Sequence, residues 1–112
     1  MKVIIKEPGH MPRQLVIDKS LKTLQELVGG YIEHVGVNGD IGFIINEEGK
    51  FRDMEPNFIF RDDVIVGPAV FVGYDGEDFG DVPASVADIR AIIAKEGAHL
   101  FVRGKHEEEI DI

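Results

Sequence analysis

Short apolar segments follow one another along this chain, some with the residue spacing of a β-strand and others with that of an α-helix. Their order limits the folds that the chain can adopt. Two β-type runs near the N-terminus predict a β-hairpin over residues 2–18. Residues 21–28 instead place leucine and valine at helical spacing, with Asp18 or Ser20 available as the N-cap. The Gly-Gly pair at 29–30 ends this helix, because glycine accepts the left-handed conformation found there.

The middle of the chain is predicted to add two more strands. Residues 31–37 alternate in polarity and residues 41–46 form an apolar run. The Asn-Gly pair at 38–39 between them is typical of a tight hairpin turn, because both residues accept positive φ. Residues 52–63 are polar and contain proline, which predicts a loop around a short turn at 57–60 that fills the core.

The last third of the sequence predicts strand, loop and helix in that order. Residues 64–72 predict one bent strand or two short ones, and the glycine- and acid-rich residues 73–81 predict an exposed loop. A second helix begins near Ser85, where Asp88 completes a pattern similar to a capping box. Gly97 is predicted to end this helix.

These elements predict a single α+β domain over residues 1–104. Its core has the order β-β-α-β-β, followed by an additional strand, a C-terminal helix and a short final strand at residues 100–102. An early hairpin followed by a helix and further strands is similar to β-grasp topology. Residues 105–112 are predicted to be an acidic, frayed tail.

Negative charge is the one compositional bias that bears on function. Twenty-one acidic residues against 12 basic residues give a formal net charge of −9. Such a surface repels phosphate backbones, which argues against direct nucleic-acid binding. It suits contact with a basic protein surface, or it serves only to keep the protein soluble.

Cysteine and long apolar segments are both absent from the sequence. The lack of cysteine excludes disulfides, thiolate zinc sites and cysteine nucleophiles. No apolar run approaches the ~20 residues needed to span a bilayer, and the first residues do not read as a signal peptide. We therefore expect a cytoplasmic protein with no membrane contact, and no pattern indicates a cofactor.

A series of motifs in fixed order resembles one known family. The motifs are Lys2–Ile5, Glu7–Gly9, Leu24–Glu33, Asn46–Lys50, Pro56–Asn57, Arg61–Asp62, Gly67–Gly73 and Asp78–Phe79. Over residues 1–82 they resemble the domain-of-unknown-function family numbered thirty-eight forty-six, whose members are short proteins of bacteria, phages and other mobile elements. The resemblance implies an accessory gene on a phage, plasmid or conjugative element, and it implies no catalytic residues.

One acidic segment supplies the weak candidates for a metal site, which are Asp75, Glu77, Asp78 and Asp81. Spaced carboxylates in a loop suit hard cations such as calcium. Their spacing does not match an EF-hand loop, so a solvated acidic loop is the favoured interpretation.

No pattern typical of an enzyme is present. The histidines share no metal-ligand spacing and lie at positions 10, 34, 99 and 106. Ser20 and Ser85 are better explained as helix caps than as nucleophiles. These observations favour a non-enzymatic role.

Four polar residues near element ends form the candidate ligand or partner surface. They are Tyr31, Asn46, Asn57 and Arg61, and each lies in or beside a motif of the family resemblance. Both asparagines also suit turn capping, which is the favoured alternative. In a binding site, the Arg61 guanidinium would suit an anion.

Three functions are compatible with these sequence features. The first is a non-enzymatic binding or regulatory accessory protein that acts through protein contacts, one version being an acidic decoy for a nucleic-acid-binding protein. The second is a domain that binds a small anion or nucleotide. The third is an enzyme that uses a metal held by the acidic segment. Exposed strand edges in so small a domain also allow a homodimer.

Overall fold

A computed structural model describes residues 1–95, which form eight strands and two helices. In chain order the elements are β1 (Lys2–Lys6), β2 (Arg13–Val16), α1 (Leu21–Val28), β3 (Ile32–Gly36), β4 (Gly42–Asn46), β5 (Pro56–Phe60), β6 (Asp63–Val66), β7 (Ala69–Asp75), β8 (Asp78–Gly80) and α2 (Val86–Lys95). The predicted α+β class is confirmed, as is the β-β-α-β-β order of the first half. Neither helix of this described part has the length and apolar character needed to cross a membrane.

Six strands form one antiparallel sheet in the order β2-β1-β7-β4-β3, with β8 paired to β7. Strands β5 and β6 form a separate hairpin. At the centre, β7 lies between β1 and β4 and runs antiparallel to both. A β-grasp sheet has parallel strands at its centre, so the expected similarity to β-grasp topology is wrong.

Both faces of the central sheet are buried. One face packs against α1 and is called the α1 face; its buried residues are Val3, Ile5, Leu24, Val28, Ile44, Val70 and Val72. The opposite face packs against the β5–β6 hairpin and α2 and is called the hairpin face; its buried aromatic residues are Phe43, Phe58, Phe60 and Phe71. Because successive side chains of a strand point to opposite faces, β1, β4 and β7 need apolar residues at consecutive positions.

Side-chain caps begin both helices. The Ser20 hydroxyl accepts the Thr23 N–H at 3.1 Å, and Gly29 ends α1 with φ at +81°. At the start of α2, the Ser85 hydroxyl accepts the Asp88 N–H at 3.1 Å, and the Asp88 carboxylate accepts the Ser85 N–H at 2.9 Å. The predicted capping box is therefore confirmed.

The predicted loop over residues 52–63 is wrong, because five of these residues form β5. Phe58 and Phe60 alternate into the core, and β5 pairs with β6 across a tight turn. That turn consists of Arg61 and Asp62, whose φ angles are +50° and +66°. Hairpin turns with positive φ favour glycine or asparagine, so an Arg-Asp pair gave no turn signal in the sequence.

The hairpin predicted at Asn38-Gly39 is confirmed, but its turn has another geometry. Neither residue has positive φ. The Asn38 side-chain oxygen instead accepts the N–H groups of Asp40 at 2.7 Å and Ile41 at 2.9 Å. Asparagine therefore shapes this turn as a side-chain acceptor.

Several predictions concern residues beyond the described part of the chain. Gly97, the final strand at 100–102, the domain boundary at 104 and the tail at 105–112 all lie outside residues 1–95. They stay predictions.

Replacing Phe43 by alanine should lower the free energy of unfolding by about 3–5 kcal/mol, as for other buried aromatic residues. The Phe43 ring is fully buried and lies 5.2 to 5.5 Å from the ring centres of Phe58, Phe60 and Phe71. Urea denaturation measures the change. The matched control is Phe51→Ala, which removes an exposed ring and should change stability by no more than about 0.5 kcal/mol. Equal losses in both variants would contradict the assigned core.

Candidate functional site

A cleft of about 390 Å³ opens between the β3–β4 side of the sheet and the β5–β6 hairpin. The chain segment that follows β4 forms one of its walls. Its apolar lining consists of Val35, Ile45, Phe51, Phe60, Val64, Ile65 and Val66. Of the four residues proposed from the sequence, Asn46 and Arg61 line this cleft, whereas Tyr31 and Asn57 do not.

Arg61 joins the β5–β6 hairpin to the end of β3. Its Nη2 donates to the Val37 carbonyl at 2.7 Å, and its Nη1 donates to the Gly36 carbonyl at 3.4 Å. The guanidinium carbon also lies 4.7 Å from the centre of the Phe60 ring, within the range of a cation–π contact. The charged group of Arg61 is thus held by the backbone of β3 and its following turn.

Asn46 lines the cleft and is only 3% exposed. Its Nδ2 donates to the Val28 carbonyl at 3.1 Å, at the end of α1. Its Oδ1 accepts the Glu48 N–H at 2.7 Å. The side chain therefore caps the turn after β4 and ties that turn to α1.

Phe51 is the residue that sequence reasoning missed. Its side chain lines the cleft and is 92% exposed. The available signal was an aromatic residue inside a polar, turn-forming stretch, where no core position was predicted. A single exposed apolar side chain is ordinary, but Phe51 continues the apolar lining of the cleft, and contiguous exposed apolar surface marks interaction sites.

The charges around the cleft are unbalanced toward the negative. Lys50 and Asp63 form an ion pair with each other. Glu33 and Glu47 also line the cleft, and neither carboxylate forms an ion pair within residues 1–95. Arg61 keeps its charge but is oriented by backbone carbonyls, and Glu33 and Glu47 are the cleft carboxylates that can pair with a basic group of a bound molecule.

Asn57 belongs to a second polar cluster, away from the cleft. Its Nδ2 donates to the carbonyls of Lys6 at 2.7 Å and Gly67 at 2.8 Å, and its Oδ1 accepts from the Lys6 ammonium at 2.8 Å. Asn57 is 1% exposed. Burial lowers the pKa of Lys6 to about 8, and the charge of Glu7 opposes that shift only in part. This cluster ties β1 to the turn between β6 and β7.

Tyr31 stands apart from both groups. Its side chain is 67% exposed, and its backbone carbonyl accepts the Glu47 N–H at 2.9 Å. The four candidates from the sequence therefore do not converge on one site. Asn46 and Arg61 share the cleft, and Asn57 and Tyr31 lie elsewhere.

The acidic segment forms a hairpin, so the prediction of a plain exposed loop over residues 73–81 is wrong. Asp75 ends β7 and is ion-paired with Lys19 at 3.4 Å. Asp81 accepts the Lys2 N–H at 2.8 Å. Glu77 and Asp78 lie with them on the hairpin, yet within residues 1–95 no three such side chains are grouped closely enough to hold a metal ion.

A histidine–tyrosine pair lies on the α1 face of β3 and β7. His34 Nε2 and the Tyr74 hydroxyl are 2.7 Å apart, and both rings contact Phe79. Burial raises the pKa of the Tyr74 hydroxyl. A side chain at Gly42 would collide with the paired atoms, so glycine is needed beneath them.

A family model described as Domain of unknown function (DUF3846) matches residues 1–95 of the chain. The resemblance drawn from the sequence motifs is therefore confirmed. The match also extends beyond residue 82, so α2 lies within the matched domain. The chain matches none of the curated proteins and none of the solved structures.

Raising the pH from about 8 to 10.5 should stabilise the protein relative to a Lys6→Met variant. The pKa of Lys6 is about 8 when folded and 10.5 in its unperturbed form, so in this interval the unfolded chain binds more protons than the folded chain. Stability therefore rises with pH in this interval, since burial disfavours the ammonium. Urea denaturation across the interval measures the difference between the two proteins.

The matched control is Lys22→Met, at an exposed position on α1. It should follow the wild-type pH dependence. A Lys6→Met variant that also follows it would contradict the lowered pKa.

Proposed function

The chain belongs to the DUF3846 family, a domain of unknown function, and we propose that it is a non-enzymatic binding or regulatory protein that acts through protein contacts. Phe51 carries this proposal, because its ring is 92% exposed beside an apolar cleft. Contact with a partner would remove that ring from water, which is favourable. Aromatic side chains of this kind are enriched at the centres of protein interfaces.

The surroundings of Phe51 have the composition of a small interface. Val64 is 36% exposed and lines the same cleft, as do the half-buried Val35 and Val66. The charged residues at the cleft are Glu33, Glu47, Lys50, Arg61 and Asp63. An apolar centre with charged groups around it is the usual anatomy of a protein–protein contact.

Binding of a small anion or nucleotide is the second candidate. The cleft volume of about 390 Å³ favours it, since ligand pockets range from roughly 300 to 1,000 Å³. The cleft's polar groups support it less. Arg61 and Asn46 are engaged with the backbone, and the carboxylates of Glu33 and Glu47 repel anions. A protein partner therefore has the stronger support.

The decoy version of the proposal receives less support than a contact through the cleft. Glu47 and Glu48 lie at one end of the sheet, and the acidic residues at 75–81 lie at the other end. Glu48 and Asp75 are also ion-paired with basic side chains. The mobile-element origin remains part of the proposal on the strength of the family resemblance, and the cytoplasmic location on the strength of the lack of cysteine and of long apolar segments.

Site-specific photocross-linking tests this function. Benzoylphenylalanine at position 51 should give one discrete cross-linked protein in cells, since the native ring lies at the proposed contact. The matched control carries the same group at position 21, where Leu21 is 57% exposed on α1. The captured protein is then purified, and its binding to the wild-type chain is measured. Phe51→Ser should weaken that binding about tenfold or more, whereas Leu21→Ser should not.

Two results would contradict the proposal. One is the absence of any discrete product at position 51, and the other is the same set of products at both positions. Unfolding by urea checks that Phe51→Ser and Leu21→Ser keep wild-type stability.

A further inference from the structure

We infer that the outer edge of β3 receives an extended, basic segment of the partner protein as an additional strand. This inference rests on the proposed function and names the kind of partner that the cleft would take. Addition of a strand to a sheet edge combines backbone hydrogen bonds, which give affinity, with side-chain contacts, which give specificity. The structure supplies both features at β3.

The backbone N–H and C=O groups of successive β3 residues point alternately toward β4 and toward the open edge. The Glu47 N–H bonds the Tyr31 carbonyl and the Val37 N–H bonds the Ile41 carbonyl, both at 2.9 Å. In an antiparallel pair, hydrogen-bonded positions alternate with positions that face away. With Ile32 opposite Asn46 and Gly36 opposite Gly42, the outward residues of β3 are therefore Ile32, His34 and Gly36.

This edge has no strand partner within residues 1–95, since β3 is the terminal strand of the sheet. One outward group is already bonded, because the Gly36 carbonyl accepts from Arg61. Arg61 thus sets the end of the open edge. The N–H and C=O groups of Ile32 and His34 remain as a template for a strand.

The side chains on the cleft side of β3 indicate what the added strand carries. Glu33 and Val35 both line the cleft, two positions apart on the same face. Residues opposite each other on paired strands interact, so Glu33 favours a lysine or arginine and Val35 favours an apolar residue. Phe51 and Val64 extend the apolar contact. The geometry therefore selects a segment with a basic and an apolar residue two positions apart.

Charge argues against a second copy of this chain as the added strand. A copy would bring its own Glu33 and Glu47 to the same face, where the two basic side chains of the cleft, Lys50 and Arg61, already contact Asp63 and the β3 backbone. The formal net charge of −9 on each chain adds repulsion. A basic segment from another protein removes both difficulties.

A defined peptide tests the inference. The probe is a blocked, fluorescent decapeptide in which lysine and valine alternate at every second position and threonine fills the rest. It should bind saturably in fluorescence anisotropy and broaden or shift the amide signals of β3. A peptide with glutamate in place of lysine should not bind. N-methylation of the alternate residues whose N–H groups face β3 should also abolish binding, because it removes the backbone donors on that edge.

Two variants of His34 separate the backbone contact from the side chain. His34→Pro removes an outward N–H and leaves the β3–β4 hydrogen bonds intact, whereas His34→Ala keeps the N–H. Both variants lose the contact with Tyr74. His34→Pro should weaken peptide binding about tenfold relative to His34→Ala.

Gln14→Pro is the control on the opposite edge of the sheet. The Ile17 N–H bonds the Met1 carbonyl of the β1 side, so every second residue counted back from Ile17 faces β1. Gln14 is not in that series, so its N–H faces outward. This variant should bind the peptide as the wild type does. Glu33→Lys should weaken binding at least about threefold, and added salt should reduce that effect.

The outcomes distinguish this inference from the proposed function. Absence of saturable peptide binding, or equal affinities for His34→Pro and His34→Ala, would overturn strand addition. Native mass spectrometry that shows a dimer dissociated by His34→Pro would also overturn it, in favour of a second copy. Partner capture at position 51 that survives either result would leave the proposed function in place.

Discussion

Burial of the central strands on both faces is the constraint on which the rest of this structure depends. Strands β1, β7 and β4 are apolar at consecutive positions, so each face of the sheet needs a covering layer. On one face the layer is α1, which has only 8 residues. On the other it is the β5–β6 hairpin together with α2. Neither layer covers the edge strand β3 as completely as the centre.

The cleft follows from this incomplete cover. The β5–β6 hairpin packs Phe58 and Phe60 over the sheet centre, and Arg61 at its turn reaches the end of β3. The space left between the hairpin and β3 is bounded by the turn after β4, which Asn46 holds in place. Polar side chains first considered as ligand contacts thus build the walls of the cleft. The groups left to contact another molecule are apolar side chains, two carboxylates and a strand edge.

Local signals predicted the parts of this fold that are local in sequence. The caps at Ser20 and Ser85 act within three residues of their own position, and both were predicted. The β5–β6 hairpin was missed, because its turn at Arg61 has positive φ without glycine or asparagine. Lys6 and Asn57 are 51 residues apart, so no periodicity indicates their contact. The cleft forms only when four strands and a turn pack together, and the exposure of Phe51 beside it is a result of that packing. No local pattern could predict either feature.

Amide hydrogen exchange of the isolated protein tests most directly whether the β3 edge is open. Exchange should alternate along β3, being fast at Ile32, His34 and Gly36 and slow at Glu33 and Val35. Gln14 and Leu15 on β2 should alternate in the same way and serve as an internal reference. Uniformly slow exchange along β3, at all protein concentrations, would contradict an open edge, because it would show that the edge is already covered within the chain.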